Sequence, residues 1–133
     1  MSDAQLETLR RLNSDFNSGG DWPRHYDPDV QLRMPSEWPD DAVYYGKNGL
    51  LKALLSWRAG FDEYHWREER LIDAEDCVVG LYYMLGKPKH AGTRVQQAIG
   101  CVFRFRDERI IRLDGYFSWQ EALDAAGIED PPT

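Results

Sequence analysis

The stretch from residue 64 to residue 117 decides what this chain can become. It reads as four strand-like runs, 64–73, 77–86, 94–106 and 109–117, separated by the turn signals DAED, GKPKHAG and RDER. Connections this short join neighbouring strands in antiparallel fashion, which predicts a meander. Within 78–85 both alternating sets of side chains are apolar, so this strand needs cover on both faces. Helices supply one cover, and a second copy of the chain is expected to supply the other, giving a homodimer.

The remaining sequence supplies the helices. Residues 2–17 carry Leu6, Leu9, Leu12 or Asn13, and Phe16 at helical spacing, with Ser2 and Gln5 placed to cap the start. In DWPRHYDPDV, Pro23 and Pro28 bracket a single helical turn that turns Trp22 and Tyr26 inward, and a short strand over 30–34 stops at Pro35. The segment EWPDDAVYY reads as a surface loop. Residues 47–60 form the strongest helix, with Leu50, Leu54, Trp57 and Phe61 on one stripe and Leu51 and Leu55 beside it. SWQE places Ser118 and Glu121 as a capping box for a last helix that Gly127 ends. No repeat or linker divides the chain, so residues 1–127 are expected to form one domain and 128–133 a short flexible tail.

Charge and cysteine content narrow the partners. Sixteen Lys and Arg against 23 Asp and Glu leave a net charge of −7, which repels a phosphate backbone and argues against nucleic acid. Arg104, Arg106, Arg109 and Arg112 alternate along two strands beside acidic residues and read as a solvated sheet face. Cys77 and Cys101 lie in apolar runs without a partner at metal-ligand spacing, as expected of reduced thiols in a cytoplasmic protein. The uncharged run 77–86 is far shorter than the ~20 residues that span a bilayer, so no membrane role is expected. The three histidines share no metal spacing, and neither metal nor cofactor is expected.

Four segments carry a family resemblance: YDPDV leading into the first strand, YYGKNGLLKALL at the long helix, LIDAEDCVV at a strand turn, and RIIRLDGYFSWQEALDAAG at the end. Across residues 4–127 the chain resembles the nuclear transport factor 2-like superfamily, which includes SnoaL-like polyketide cyclases, ketosteroid isomerases and limonene epoxide hydrolases. The resemblance implies an α+β fold in which a cone-shaped, strongly curved antiparallel sheet wraps a long helix. N-terminal helices and a short C-terminal helix complete this cystatin-like α+β barrel. It does not carry over the residues of two of those enzymes. Met34 stands where ketosteroid isomerases place their aspartate base, Cys101 where they place a protonated aspartate, and Leu12 where they place a tyrosine. Tyr82, Met84 and Gly115 stand at the arginine and aspartate positions of limonene epoxide hydrolases.

The expected pocket is therefore apolar and aromatic. Trp22, Tyr26, Met34, Trp38, Trp57, Met84, Gln97, Cys101 and Phe103 are its candidate lining, with a mouth near Trp22, Tyr26 and the loop over 37–45. Tyr82 and Gln97 are expected to pair as its polar floor. Tyr82 and Asp114 are the candidate catalytic groups, a phenol that donates to a developing oxyanion and a carboxylate that accepts a proton. Asp114 reaches the pocket only through a bulge, since one residue along a strand is the opposite face. The expected ligand is a small hydrophobic organic molecule. Cofactor-free cyclisation, isomerisation or dehydration is the leading reading, and a non-catalytic binding or dimerisation module is the alternative.

Overall fold

The computed structural model of the 133-residue chain describes residues 3–38, 43–90 and 92–129. Ser2, the acidic residues Asp40 and Asp41, and residues 130–133 of the tail lie outside the described residues. Helix α1 (Asp3–Ser18) is followed by a 3-10 turn (Trp22–His25), strand β1 (Tyr26–Arg33), strand β2 (Val43–Tyr45) and helix α2 (Gly46–Arg58). Strands β3 (Phe61–Asp73), β4 (Val78–Pro88), β5 (Val95–Arg106) and β6 (Arg109–Tyr116) come next, and helix α3 (Trp119–Ala125) closes the chain.

The expected meander is present, and the α+β architecture stands with one correction. The six strands lie in the order β2-β1-β6-β5-β4-β3, and β1 pairs with β6 in parallel, so the sheet is mixed and unclosed. Local turn signals report only hairpins, whereas this pairing joins segments at opposite ends of the chain. Strand β1 also begins four residues earlier than the pattern suggests. Its ladder to β6 shifts register between Tyr26 and Gln31, and the irregularity accommodates Pro28, which has no N–H to give to a ladder. The end of the expected surface loop forms β2, antiparallel to β1.

One face of the sheet packs on α1 and α2. Leu9, Leu12 and Phe16 from α1 and Leu50, Ala53 and Leu54 from α2 share a core with Val30, Leu32, Val78, Met84, Ile99 and Ile110. Leu9 and Leu50 are both 0% exposed, and each such side chain contributes ~1.5–3 kcal/mol. Leu55, expected beside the apolar stripe of α2, faces outward instead.

The outer face corrects the argument for a second copy. Val79, Leu81 and Val102 are buried against Ala122 and Leu123 of α3, so the chain covers this face itself. The approach is close enough to require glycine at position 100, because a Cβ there would meet the Cβ of Ala122 at 2.5 Å. Ser118 caps α3 as expected, its hydroxyl accepting from the Glu121 N–H at 3.3 Å. The arginines of β5 and β6 are likewise more than a solvated face. Arg106 donates to Asp27 and Asp29, while Arg104 and Arg112 close on Asp114.

Candidate functional site

A cavity of about 50 Å³ lies between the inner face of the sheet and the two long helices. One water needs ~10–15 Å³, so the space suits a compact organic group. Helix α1 contributes Leu12, Asn13 and Phe16, and α2 contributes Leu54. Trp66, Tyr82, Cys101, Phe103 and Leu113 enter from β3 to β6, and Tyr26 enters from β1. Alternation along the strands sets this membership: Cys101 and Phe103 face inward while Val102 packs under α3.

Few polar atoms reach this space, and several lack a partner among the described residues. The hydroxyls of Tyr26 and Tyr82 make no hydrogen bond, although each residue is 3% exposed. The Asn13 side chain makes none either. Burial pushes the Tyr26 and Tyr82 phenols well above their ordinary value, with the Cys101 sulfur adding to the effect. They are therefore neutral donors at neutral pH. Burial also pushes the Cys101 thiol upward, which keeps it from forming a nucleophilic thiolate.

The position of the Tyr82 ring depends on Gly80. The ring lies back over that residue, so that a Cβ there would stand 2.5 Å from the ring and 2.7 Å from the hydroxyl. On its other side the ring packs against Trp66 with centroids 5.4 Å apart. The Trp119 indole donates to the Tyr82 carbonyl at 2.9 Å, fixing the strand from the outer face.

Of the residues expected from sequence, Tyr26, Tyr82, Cys101 and Phe103 come together at the cavity, while the others are distributed elsewhere. Trp22 is a core residue stacked edge-on against Phe16 and Tyr26, and Met34 and Met84 are buried in the same core. Trp38 and Trp57 form an aromatic group with Phe117, whose carbonyl accepts from Gln97 at 3.2 Å. Gln97 lies opposite Met84 and Tyr82 lies opposite Ile99, so the expected Tyr82–Gln97 pair is not formed. Asp114 is 4% exposed but lies outside the cavity lining. Its neighbour Leu113 takes the inward position, and Asp114 is held by Arg112 at 3.0 Å, Arg104 at 3.3 Å and Arg33 at 3.8 Å.

Leu12, Asn13, Phe16, Leu54, Trp66 and Leu113 line the cavity without having been anticipated there, and Asn13 is the polar one among them. Glu68 lies near the cavity but outside its lining. Glu68 lies directly across the β3–β4 ladder from Tyr82, and a register shift follows it before Arg70. Its Oε1 is buried without a partner. Burial raises its carboxyl above the ordinary value against a small opposing pull from Arg10, and its charge further disfavours ionisation of Tyr82. Asn17 of α1 exchanges two hydrogen bonds of 2.8 Å with the Trp66 backbone. Asn13 lies one helical turn before Asn17, ~6 Å back along the axis, and Glu68 lies two residues beyond Trp66, ~6.6 Å along the strand. Arg10 of α1 also acts on Glu68, so α1 and β3 run in opposite directions here. The inward series Tyr64, Trp66, Glu68 was the available signal.

Among the described residues no helix is long and apolar enough to cross a membrane, and no three His, Cys, Asp or Glu converge as metal ligands. The family model described as SnoaL-like domain matches residues 9–113. No curated protein matches the sequence. Among solved structures, TerC co-crystallised with polyporic acid is 15% identical, with 94% of this chain and 99% of that one covered and a TM-score of 0.76. A nuclear transport factor 2-like protein of unknown function from Burkholderia pseudomallei is 16% identical, covering 93% and 97%, with a TM-score of 0.76. A protein with a ketosteroid isomerase-like fold from Catenulispora acidiphila, in complex with trimethylamine, is 17% identical, covering 92% and 94%, with a TM-score of 0.72. Identities this low speak for the fold alone.

Proposed function

Since this chain belongs to the SnoaL-like domain family, its model matching 105 of the 133 residues from 9 to 113, we propose that it binds a small hydrophobic organic molecule between α1, α2 and the inner face of the sheet. Cofactor-free proton transfer on that molecule, as in cyclisation, isomerisation or dehydration, is the activity we assign to it. The carrying observation is the apolar cavity that Tyr26 and Tyr82 both line, with their phenols kept neutral by burial. A neutral phenol at such a cavity can donate to a bound carbonyl or hydroxyl. Small organic molecules held by fold neighbours support the same reading.

Native mass spectrometry of the purified protein, followed by fluorescence titration of the tryptophans with one- and two-ring ketones, tests it. Saturable binding that Leu54→Trp abolishes by filling the cavity is expected. Failure of every compound to bind overturns it. The reading without catalysis, a binding or dimerisation module, differs in showing binding and no turnover.

A homodimer belongs to the proposal through the part of the outer face that α3 leaves open, where His65, Leu85, Val95 and Gln96 border a groove. Light scattering at micromolar concentration checks it, and a monomer contradicts it. A cytoplasmic location is proposed because Cys77 and Cys101 are buried, unpaired thiols. Fractionation of the host cell tests that point.

A further inference from the structure

The cavity reaches the surface along one seam. Asn13 and Trp66 are half-buried, and every other residue of its lining is buried. Asn13 belongs to α1 and Trp66 to β3, so the space opens between these two elements. Trp22 and Tyr26, where the sequence pattern places the mouth, are 5% and 3% exposed, and that side is closed.

The seam is also the wall held by the fewest backbone bonds. Tyr82, Cys101, Phe103 and Leu113 stand on β4, β5 and β6, each paired with a strand on both sides, so parting them breaks a ladder. Strand β3 is an edge of the sheet. Its outward backbone at Trp66 meets a side chain instead of a strand: Asn17 Nδ2 donates to the Trp66 carbonyl, and Asn17 Oδ1 accepts from the Trp66 N–H, both at 2.8 Å. Asn17 stands one helical turn beyond Asn13 on the same side of α1 and outside the cavity lining. The neighbouring Phe16 carbonyl accepts separately from Arg58 of α2 at 2.9 Å, so this end of α1 stays fixed to α2 when Asn17 releases β3.

We propose that ligands enter and leave through the seam between α1 and β3, and that Asn17 is a latch whose two hydrogen bonds set the rate of exchange. The inference rests on the pocket reading given above and assigns its entrance. Asn17 is a positioning residue, acting through Trp66, whose ring packs against Phe16 at 6.0 Å and Tyr82 at 5.4 Å on either side of the opening. Release of the amide frees the Trp66 backbone from α1 and lets Asn13 and Trp66 separate.

Stopped-flow tryptophan fluorescence with acetophenone tests the latch in the full chain, comparing the parent with Asn17→Ala and Asn17→Asp. Exchange runs through the open state while the ligand is held in the closed one, so a weaker latch raises association and dissociation rates by the same factor and leaves Kd unchanged. In Asn17→Ala both rates are expected to rise about ten-fold, with Kd within about two-fold of the parent. Asn17→Asp keeps the bond from the Trp66 N–H and loses the one to the carbonyl, and is expected to fall between the two. If Asn17→Ala fails to fold, Asn17→Asp is read alone, with a rise of about three-fold in both rates expected. Faster dissociation alone, with weaker affinity, means that Asn17 shapes the closed site and overturns the latch. Unchanged rates in the folded variants overturn it too and leave the pocket intact. A parent that binds none of the one- and two-ring ketones overturns pocket and latch together.

Discussion

Gly80 and Tyr82 share one space: the phenol ring folds back over the glycine so closely that a methyl group at position 80 and the ring cannot both occupy it. Gly80→Ala is expected to push the ring toward the cavity and to cost about 1–3 kcal/mol. In a Tyr82→Ala background the same substitution is expected to cost much less. Reversible denaturation of the four proteins gives the coupling directly, and a coupling near zero contradicts the packing described.

Phe103 borders the cavity from β5 and is 3% exposed. Phe103→Ala enlarges that space and is expected to cost about 3–5 kcal/mol in urea denaturation. A loss below about 1 kcal/mol shows that the ring is not packed there.

Asp114 gathers three arginines that otherwise repel one another. The guanidiniums are between 37% and 48% exposed, so the pairs are partly screened by solvent. Asp114→Asn is expected to destabilise by about 1–2 kcal/mol at low salt and by less at high salt, as arginine repulsion is screened. Ligand affinity is expected to stay unchanged, because Asp114 lies outside the cavity lining. A large change in affinity without a change in stability would return Asp114 to the site.

Glu68 and Asp15 respond to pH with opposite signs. Burial raises the Glu68 carboxyl above 4.5, so the folded chain holds more protons just above that pH and stability falls as pH rises through the window. The hydrogen bond to His25 holds Asp15 below 3.8, with Arg24 helping, so its contribution is in force above that value and is lost as pH falls below it. Glu68→Gln is expected to raise Tm at about pH 7 and change it little at about pH 4. Asp15→Asn is expected to lower Tm at about pH 7 and change it little at about pH 2. Scanning calorimetry across this range checks both, and the same sign for both variants contradicts the assignment.

Cys101 is buried and its thiol is pushed upward, so it is expected to resist a thiol reagent in the folded chain and react once urea unfolds it. Rapid modification of Cys101→Ser and its parent can be compared by mass. Fast labelling of native Cys101 would mean that the cavity opens readily.

Much of this arrangement is legible in the sequence because hairpins and helix caps announce themselves locally. The turns after Asp73 and Arg106 and the cap at Ser118 fall where their residues place them. Tyr82, Cys101 and Phe103 could be assigned to the inner face because the family resemblance supplies the parity, and β4 and β5 then pair without a register shift. Parallel pairing of β1 with β6 has no local signature, and Pro28 hides the first half of β1. Glu68 was obscured by its neighbours Arg67, Glu69 and Arg70, which make the segment read as a solvated edge, and by a bulge that resets the alternation just beyond it. Asn13 was obscured because a helix position next to Leu12 can serve either the core or solvent. Outer cover by α3 required knowing that Gly100 admits a helix at contact distance.

The parallel union of β1 with β6 imposes an order of events on a chain that emerges from the ribosome N-terminus first. Strand β1 can pair with β2 and pack on α2 early, but it joins β6 only once Arg109–Tyr116 has been synthesised, so its union with the β3–β6 meander is expected to come late. We expect pulse-labelled hydrogen exchange during refolding to protect β4 and β5 before β1. Protection of β1 first would contradict this order. The cavity, whose walls include Tyr26 from the late strand and Cys101 from the early ones, is then the last feature of the molecule to be completed.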